Sequence, residues 1–190
     1  MPYTIVVESP GLYVDVRTAA PNCTMRQLTA RDMPLLAKLP GREREVEKAL
    51  ARLNDAECLG IFVDGAVAGY TWCRFDRMLH ARQIELHILE RDEAYLFDIY
   101  VDKAYRGLGV AHVLRHQLYR HLAAKGIKRF YSISAYFNRS TRKFKAKLGA
   151  REVELRVLLK LRSIVSIDFR LKRYAGNQCL GTKRVYFVRG

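Results

Sequence analysis

The sequence predicts a mixed α/β domain built around one sheet, and three observations lead to this fold class. Short β-prone segments alternate with amphipathic helical segments along the 190 residues. The β-prone run Ala94–Val101 opens a strand–helix–strand passage from 94 to 135, which requires a right-handed parallel crossover. Alternation of apolar and charged residues returns near the C-terminus and indicates further strands. We therefore expect a single domain over residues 1–190, a length that suits one hydrophobic core.

The N-terminal half is expected to contain two hairpins and two helices. Apolar residues alternate around Pro10-Gly11, which predicts a hairpin extension over residues 1–23. A strand at 24–28 leads into a capped helix, and the apolar spacing over 43–53 indicates a second helix. Asp64-Gly65 then joins two apolar runs, because these residues tolerate the positive φ that a tight hairpin turn demands.

The C-terminal half continues with two helices and three strands. A helix with a core-facing stripe is expected from Val110 to Gly126, followed by a strand at 130–135 and a short basic helix at 139–148. From Val153 onward, apolar residues alternate with Glu154, Arg156, Lys160 and Arg162, which predicts a half-buried strand. We expect residues 24–165 to form the core of the domain and 166–190 a C-terminal strand extension.

Composition and charge exclude several classes of protein. No run approaches the ~18 apolar residues that a membrane span needs, and no secretory signal is visible, so a cytoplasmic location is expected. The four cysteines share no short spacing, which predicts free thiols. The net charge is +15, but residues 1–100 carry net −3 and residues 101–190 net +18. This imbalance draws a polyanion to the C-terminal half, and charge alone does not say which one.

The loop after the strand at 94–101 has the properties of an anion site. A strand ends, a glycine-bearing loop follows, and a helix begins at once, so unpaired helical N–H groups face the loop. A dinucleotide-binding Rossmann motif fails, because His112 stands where the third glycine belongs and no carboxylate lies between Asp102 and Glu152. The P-loop pattern occurs nowhere in the sequence.

The pattern Arg106-x-x-Gly109-x-Ala111 resembles the cofactor signature of the GNAT acetyltransferase superfamily, Gln/Arg-x-x-Gly-x-Gly/Ala. The surrounding order is also similar to that of the family. A strand precedes the motif, a helix and a strand follow it, and Asn138 stands eleven residues before the glycine of Leu148-Gly149. The resemblance covers roughly residues 24–165 and implies a central splayed sheet flanked by helices.

The resemblance implies that acetyl-CoA, or another acyl-CoA, binds where the two central strands splay apart. The loop amides would hold the pyrophosphate, and the strand edge would bind the pantetheine arm as an added strand does. The residues expected to contact the cofactor are Ile99, Tyr100, Val101, Arg106, Gly107, Leu108, Gly109, Val110, Ala111, Asn138 and Lys145.

Five residues are candidates for proton transfer. Asp98 is the only charged residue inside its apolar strand and is either a general base or part of a structural ion pair. Where the family usually places a tyrosine as general acid, seven residues past Asn138, this chain has Lys145. That lysine could supply a proton or bind phosphate. Tyr136 is an alternative acid, as are Tyr131 and Tyr100, although each suits a packed aromatic role equally well.

The partners expected from the sequence follow from these residues. The leading prediction is transfer of an acetyl group to a small-molecule amine. The alternative is an N-acyltransferase of the same fold that uses a longer acyl chain, delivered by acyl-CoA or by an acidic acyl carrier protein. A non-catalytic basic module for nucleic acid or a membrane surface is a second rival, but no nucleic-acid-reading motif accompanies the basic residues. His112 and His116 have no third ligand at a matching spacing, so no metal site is expected. The sequence leaves open whether the chain forms a homodimer.

Overall fold

The computed structural model describes residues 1–8, 22–80, 84–161, 165–174 and 184–187. The strands are β1 (Pro2–Glu8), β2 (Cys23–Leu28), β3 (Glu57–Val63), β4 (Ala66–Arg74), β5 (Arg77–His80), β6 (Ile84–Ile88), β7 (Glu93–Val101), β8 (Arg129–Ala135), β9 (Arg151–Leu161), β10 (Val165–Arg173) and β11 (Arg184–Phe187). The helices are α1 (Met33–Leu36), α2 (Val46–Arg52), α3 (Val110–Ala124) and α4 (Arg139–Lys147).

Nine of these strands form one sheet in the order β11-β10-β9-β1-β8-β7-β4-β3-β2, and β5 and β6 form a separate hairpin. The pair β7 and β8 is parallel and is connected through α3, as the sequence predicted. Every other pair in the large sheet is antiparallel. The predicted mixed α/β sheet flanked by helices is therefore confirmed.

The two faces of the sheet have different covers. Successive residues of a strand point to opposite faces. Leu96 of β7 packs with Leu118 and Leu122 of α3, whereas the preceding Tyr95 packs with Met78 of the β5–β6 hairpin. The helices α1 and α2 also pack with the second face, around Trp72. The central strands thus lie between two apolar layers.

The N-terminal strand lies inside the sheet, and this corrects the hairpin predicted around Pro10-Gly11. Strand β1 pairs with β8 along one edge and with β9 along the other, so it has no edge left for a hairpin partner. The predicted second arm falls outside the described residues. Tyr3 and Ile5 are fully buried, because β1 carries apolar residues on a strand with neighbours on both sides.

Strand β9 also departs from the prediction, because two residues of its charged side are buried. Glu154 and Arg156 are 0% and 2% exposed, whereas Leu159 is 45% exposed. Arg156 donates to the carboxylates of Asp168 on β10 (2.9 Å) and Glu154 (2.9 Å). Paired charges with satisfied hydrogen bonds can be buried, and polarity alone does not reveal this pairing in a sequence.

No helix in the described part of the chain is long and apolar enough to cross a membrane. The longest of them, α3, has 15 residues.

Candidate functional site

The parallel strands β7 and β8 separate towards their C-terminal ends. They pair from Glu93 and Arg129 as far as Leu96 and Ser132, and no pairing between them continues beyond that point. Among the described strands, Phe97, Tyr100 and Val101 of β7 pair only with β4, and residues 133–135 of β8 pair only with β1. The facing edges therefore have backbone groups without partners in these strands, and a wedge-shaped opening, called here the split, lies between them.

A β-bulge on β7 marks the start of the split. Trp72 pairs with Phe97 and Tyr70 pairs with Tyr100, so Thr71 lies opposite two residues of β7. One of these two is Asp98, whose φ of 46° is unusual for a residue other than glycine. The backbones approach closely here, since a Cβ at Gly69 would lie 2.3 Å from the Tyr100 carbonyl oxygen. The glycine at 69 therefore permits the contact that shapes the bulge.

The loop after β7 presents the open N-terminus of α3. Gly109 is the N-cap with φ of 78°, and no side chain of the described residues caps the helix. His112 and Val113 donate the first backbone bonds, both to the Gly109 carbonyl, so the N–H groups of Val110 and Ala111 have no intrahelical acceptor. These groups and the helix dipole favour an anion at the mouth of the split.

The remaining loop residues are held close to the split. Arg106 Nε donates to the Val101 carbonyl (3.0 Å), which ties the loop back to the end of β7. Ile99 and Val101 pack with Val110 at the start of α3. The structure thus brings together the predicted strand edge at 99–101 and the predicted loop at 106–111.

Asn138 has a structural role at the start of α4. Its side-chain oxygen accepts from the Thr141 N–H (3.1 Å) and from the Ser140 hydroxyl (2.9 Å), so it is the N-cap of the helix. The predicted contact of Asn138 with a cofactor would have to be made by its amide NH₂, which these bonds leave free to donate.

Lys145 points inward from α4 to the apex of the split. The side chain is buried, and Nζ donates to Ser132 Oγ (2.8 Å) and to the Ile133 carbonyl (3.0 Å). Ser132 is the last residue of β8 that pairs with β7, and Ile133 is the first beyond it. Burial lowers the pKa of Lys145 to about 8, Glu8 opposes this effect, and Arg115 adds to it. An ammonium group so enclosed suits proton donation at the apex better than the predicted binding of an exposed phosphate.

The other proton-transfer candidates have partners elsewhere. Asp98 pairs with Arg52 (2.5 Å) and with Arg42 (3.6 Å), which favours the ion-pair alternative over the general base. The Tyr136 N–H donates to the Pro2 carbonyl, and its ring lies under Arg142, on the side of β8 away from the split. The hydroxyls of the two further tyrosines also have acceptors: that of Tyr131 donates to Glu93 and that of Tyr100 to the Pro40 carbonyl.

A buried polar cluster behind Lys145 was missed by the sequence analysis. The Glu8 carboxylate of β1 accepts from the hydroxyls of Ser132 and Tyr119, and it lies near Arg115. Two signals in the sequence were available. Glu8 is a lone charge after an apolar strand, and Arg115 falls within the apolar stripe of α3, next to Leu114.

A cavity of about 440 Å³ lies beside the bulge, on the face that carries α2 and β5. Tyr95 and Phe97 of β7 form an aromatic wall, and Phe97 is the first residue past the paired segment. Arg74 is buried in the lining and pairs with Asp55 (2.5 Å), while its Nε has no hydrogen-bond partner among the described residues. The full lining consists of Lys48, Ala51, Arg52, Asp55, Arg74, Leu79, Tyr95 and Phe97.

The histidine spacing on α3 does not form part of a larger ligand set in the described residues. No group of three or more histidine, cysteine or acidic side chains is placed there to hold a metal ion. His112 instead packs edge-on against Phe144 of α4, with ring centroids 5.0 Å apart. This contact joins the two helices that border the split.

Comparisons with known proteins agree with this geometry. The sequence model described as "Acetyltransferase (GNAT) family" matches residues 24–150. No curated protein matches the sequence significantly. Among solved structures, a GNAT-family acetyltransferase from Novosphingobium aromaticivorans shares 19% identity at a TM-score of 0.55; the alignment covers 81% of this chain and 60% of that one.

Two further solved structures were determined with ligands. AAC(6')-Iy, in complex with the bisubstrate analogue CoA-S-monomethyl-acetylneamine, is 20% identical over 74% of this chain and 98% of its own, with a TM-score of 0.57. The PaiA N-acetyltransferase from Thermoplasma acidophilum, in complex with coenzyme A, is 17% identical over 80% and 99% of the two chains, with a TM-score of 0.53. At these identities the structures establish a shared fold.

Proposed function

Because the chain belongs to the acetyltransferase (GNAT) family, we propose that it transfers an acetyl group from acetyl-CoA directly to the amine of a small molecule. One observation carries this proposal. The split between β7 and β8, the uncapped N-terminus of α3 and the buried Lys145 ammonium lie at one place in the fold. An acyl donor with a long polar arm and a pyrophosphate matches all three features.

The residues around the split fit such a donor. The free amides at Val110 and Ala111, with those of Leu108 and Gly109, would hold the pyrophosphate, since a helix N-terminus favours anions. The unpaired edge of Ile99–Val101 would bind the pantetheine amides as an added strand does. When bound, the donor supplies a thioester, whose carbonyl carbon is open to attack by an amine.

The cavity beside the bulge is the best candidate for the acceptor. It adjoins β7 at Phe97, where the split begins, so an amine held there can reach the apex from the face opposite α3 and α4. Tyr95 and Phe97 offer apolar contact, and the paired charges Arg74 and Asp55 offer hydrogen bonds. A volume of about 440 Å³ suits a small molecule.

Lys145 is the proposed general acid. The neutral amine nitrogen forms a bond to the acyl carbon and releases one proton to water. The carbon–sulfur bond breaks with its electron pair on sulfur, and Lys145 donates a proton to that sulfur. Burial lowers the pKa of Lys145 to about 8, and an ordinary thiol has a pKa of about 8.5, so the two groups are well matched for this transfer.

Calorimetry with acetyl-CoA tests the proposal directly. We expect binding by the native protein and none by Gly109→Asp, because the new carboxylate would stand at the anion site. Gly126→Asp is the matched control: Gly126 has nearly the same φ (82°) but follows the other end of α3, so binding should persist. Equal affinity in both variants, with folding confirmed by circular dichroism, would overturn the assignment.

Turnover with different donors tests the acyl group. Acetyl-CoA should be used faster than longer acyl-CoAs and faster than an acidic acyl carrier protein loaded with the same acyl chain. A clear preference for the carrier-bound donor would replace the acetyl-CoA proposal with the carrier alternative.

A further inference from the structure

The N-terminal strand places a carboxylate directly behind Lys145. Glu8, the last residue of β1, is 0% exposed, and its side chain lies between β8 and α3. Its carboxylate accepts from the hydroxyls of Ser132 and Tyr119. Arg115 Nε lies 3.5 Å and Lys145 Nζ 3.9 Å from its oxygens. Two cations therefore share one buried anion.

A single hydroxyl links Glu8 to Lys145. Lys145 Nζ donates to Ser132 Oγ (2.8 Å), and the Ser132 hydroxyl in turn donates to Glu8 Oε1. Ser132 donates its single hydroxyl proton to Glu8, and its oxygen accepts from Lys145, so the hydrogen-bond directions are consistent from the lysine to the carboxylate. Charges buried without a partner are costly, and the carboxylate offsets that cost for the ammonium.

We propose that Glu8 is a positioning residue that keeps the Lys145 ammonium charged and aimed at the apex of the split. The inference rests on the proposed function, in which Lys145 gives its proton to the departing sulfur. The N–H bond breaks with its electron pair on the Lys145 nitrogen, and an S–H bond forms. The neutral Lys145 side chain is then protonated again from solvent. Glu8 keeps its own charge throughout and does not contact the reacting atoms.

The groups that face Lys145 set the direction of the expected effect. Burial lowers the pKa of Lys145, and Arg115 from α3 adds to this effect, whereas Glu8 from β1 and Glu152 from β9 raise the pKa. Ser132 of β8 contributes a neutral hydroxyl. Although burial favours the protonated form of Glu8, Arg115 and Lys145 lower its pKa, so the carboxylate is charged at neutral pH. Removal of that charge should therefore make Lys145 lose its proton at a lower pH.

Glu8→Gln tests this inference through the pH profile of kcat. In the native protein, kcat should fall as the pH rises through about 8, where Lys145 loses its proton. In Glu8→Gln, the falling limb should move down by about 1–3 pH units, the shift expected when an opposite charge within ~4–6 Å is lost. Glu154→Gln is the matched control, because Glu154 is an equally buried carboxylate in the separate cluster of β9 and β10. In this variant the falling limb of the kcat profile should stay at the native pH.

An unshifted limb in folded Glu8→Gln would overturn the inference. If that variant does not fold, Ser132→Ala removes the linking hydroxyl at little cost in volume and should move the limb in the same direction; no movement would be equally contradictory. Lysine ¹⁵N NMR without any substrate provides an independent measurement, with Lys145 assigned by its absence in Lys145→Met. A lowered titration midpoint of Lys145 in Glu8→Gln, together with no acetyl transfer by the native protein, would refute the proposed function. It would leave the effect of Glu8 on the Lys145 ammonium standing.

Discussion

Asp98 illustrates how one residue can serve shape and charge together. Its φ of 46° creates the bulge on β7, and its carboxylate pairs with Arg52 of α2 and with Arg42 before that helix. The sequence marks Asp98 only as a lone charge in an apolar strand, which is compatible with a general base as well. The distances to two guanidinium groups favour a role in fixing α2 against the bulge, because each oxygen of the carboxylate lies beside a different cation.

Asp98→Asn distinguishes a structural ion pair from a general base. Asparagine tolerates a positive φ, so the bulge should persist while the ion pairs are lost. We expect the free energy of unfolding, measured in urea, to fall by about 1–3 kcal/mol, because Arg52 loses its carboxylate partner. We also expect kcat to change little. A loss of about 10²–10⁴-fold in kcat, with stability unchanged, would identify Asp98 as the general base.

Among the elements, the pair β7 and α3 could be predicted best from the sequence. The apolar run at 94–101, the glycines at 107 and 109 and the stripe of α3 are local signals, and the structure has the strand, turn and helix where they predict them. The position of β1 could not be predicted, because strand pairing over more than 120 residues leaves no local pattern. The buried charges of β9 were missed for the same reason, since Asp168, which pairs with Arg156, and Arg170, which pairs with Glu154, lie on β10.

The close contact of β4 with β7 should be sensitive to one methyl group added at Gly69. In Gly69→Ala the new Cβ would lie 2.3 Å from the Tyr100 carbonyl oxygen, so the strands must move apart at the bulge. We expect a loss of about 1–3 kcal/mol in urea unfolding and a weaker affinity for acetyl-CoA in calorimetry.

Gly60→Ala is the control for this change. Its Cβ would meet the end of the Leu28 side chain at 2.9 Å, and a side chain can turn aside where a backbone carbonyl cannot. Stability should fall less than in Gly69→Ala, and the affinity for acetyl-CoA should be unchanged. Equal losses in both variants would show that the bulge has no special role in shaping the split.

For the whole molecule, β1 connects two parts of the sheet. The family match ends at residue 150, and β9 and β10 follow it in the chain. Because β1 lies between β8 and β9, these later strands join the sheet, as far as the structure describes it, only through the N-terminal strand. The connection extends to side chains, since the Tyr3 hydroxyl donates to Asp168 of β10 (2.8 Å). One end of the chain therefore holds the other in place.

Tyr3→Phe tests this connection. The ring is kept while a buried oxygen of Asp168 loses its donor, and we expect a loss of about 1–3 kcal/mol in urea unfolding. Tyr100→Phe removes a hydroxyl whose bond to the Pro40 carbonyl is exposed, so it should cost less. A Tyr3→Phe variant as stable as the native protein would show that the cluster on β9 and β10 does not depend on β1.

Amide NMR during a titration with acetyl-CoA shows whether the split between β7 and β8 receives a CoA thioester. We expect the largest shifts on Leu108–Ala111 and Ile99–Val101, with smaller shifts near Ser132 and Ile133. Saturable shifts confined to other surfaces of the protein, or no shifts at millimolar acetyl-CoA, would show that the split is not the binding site.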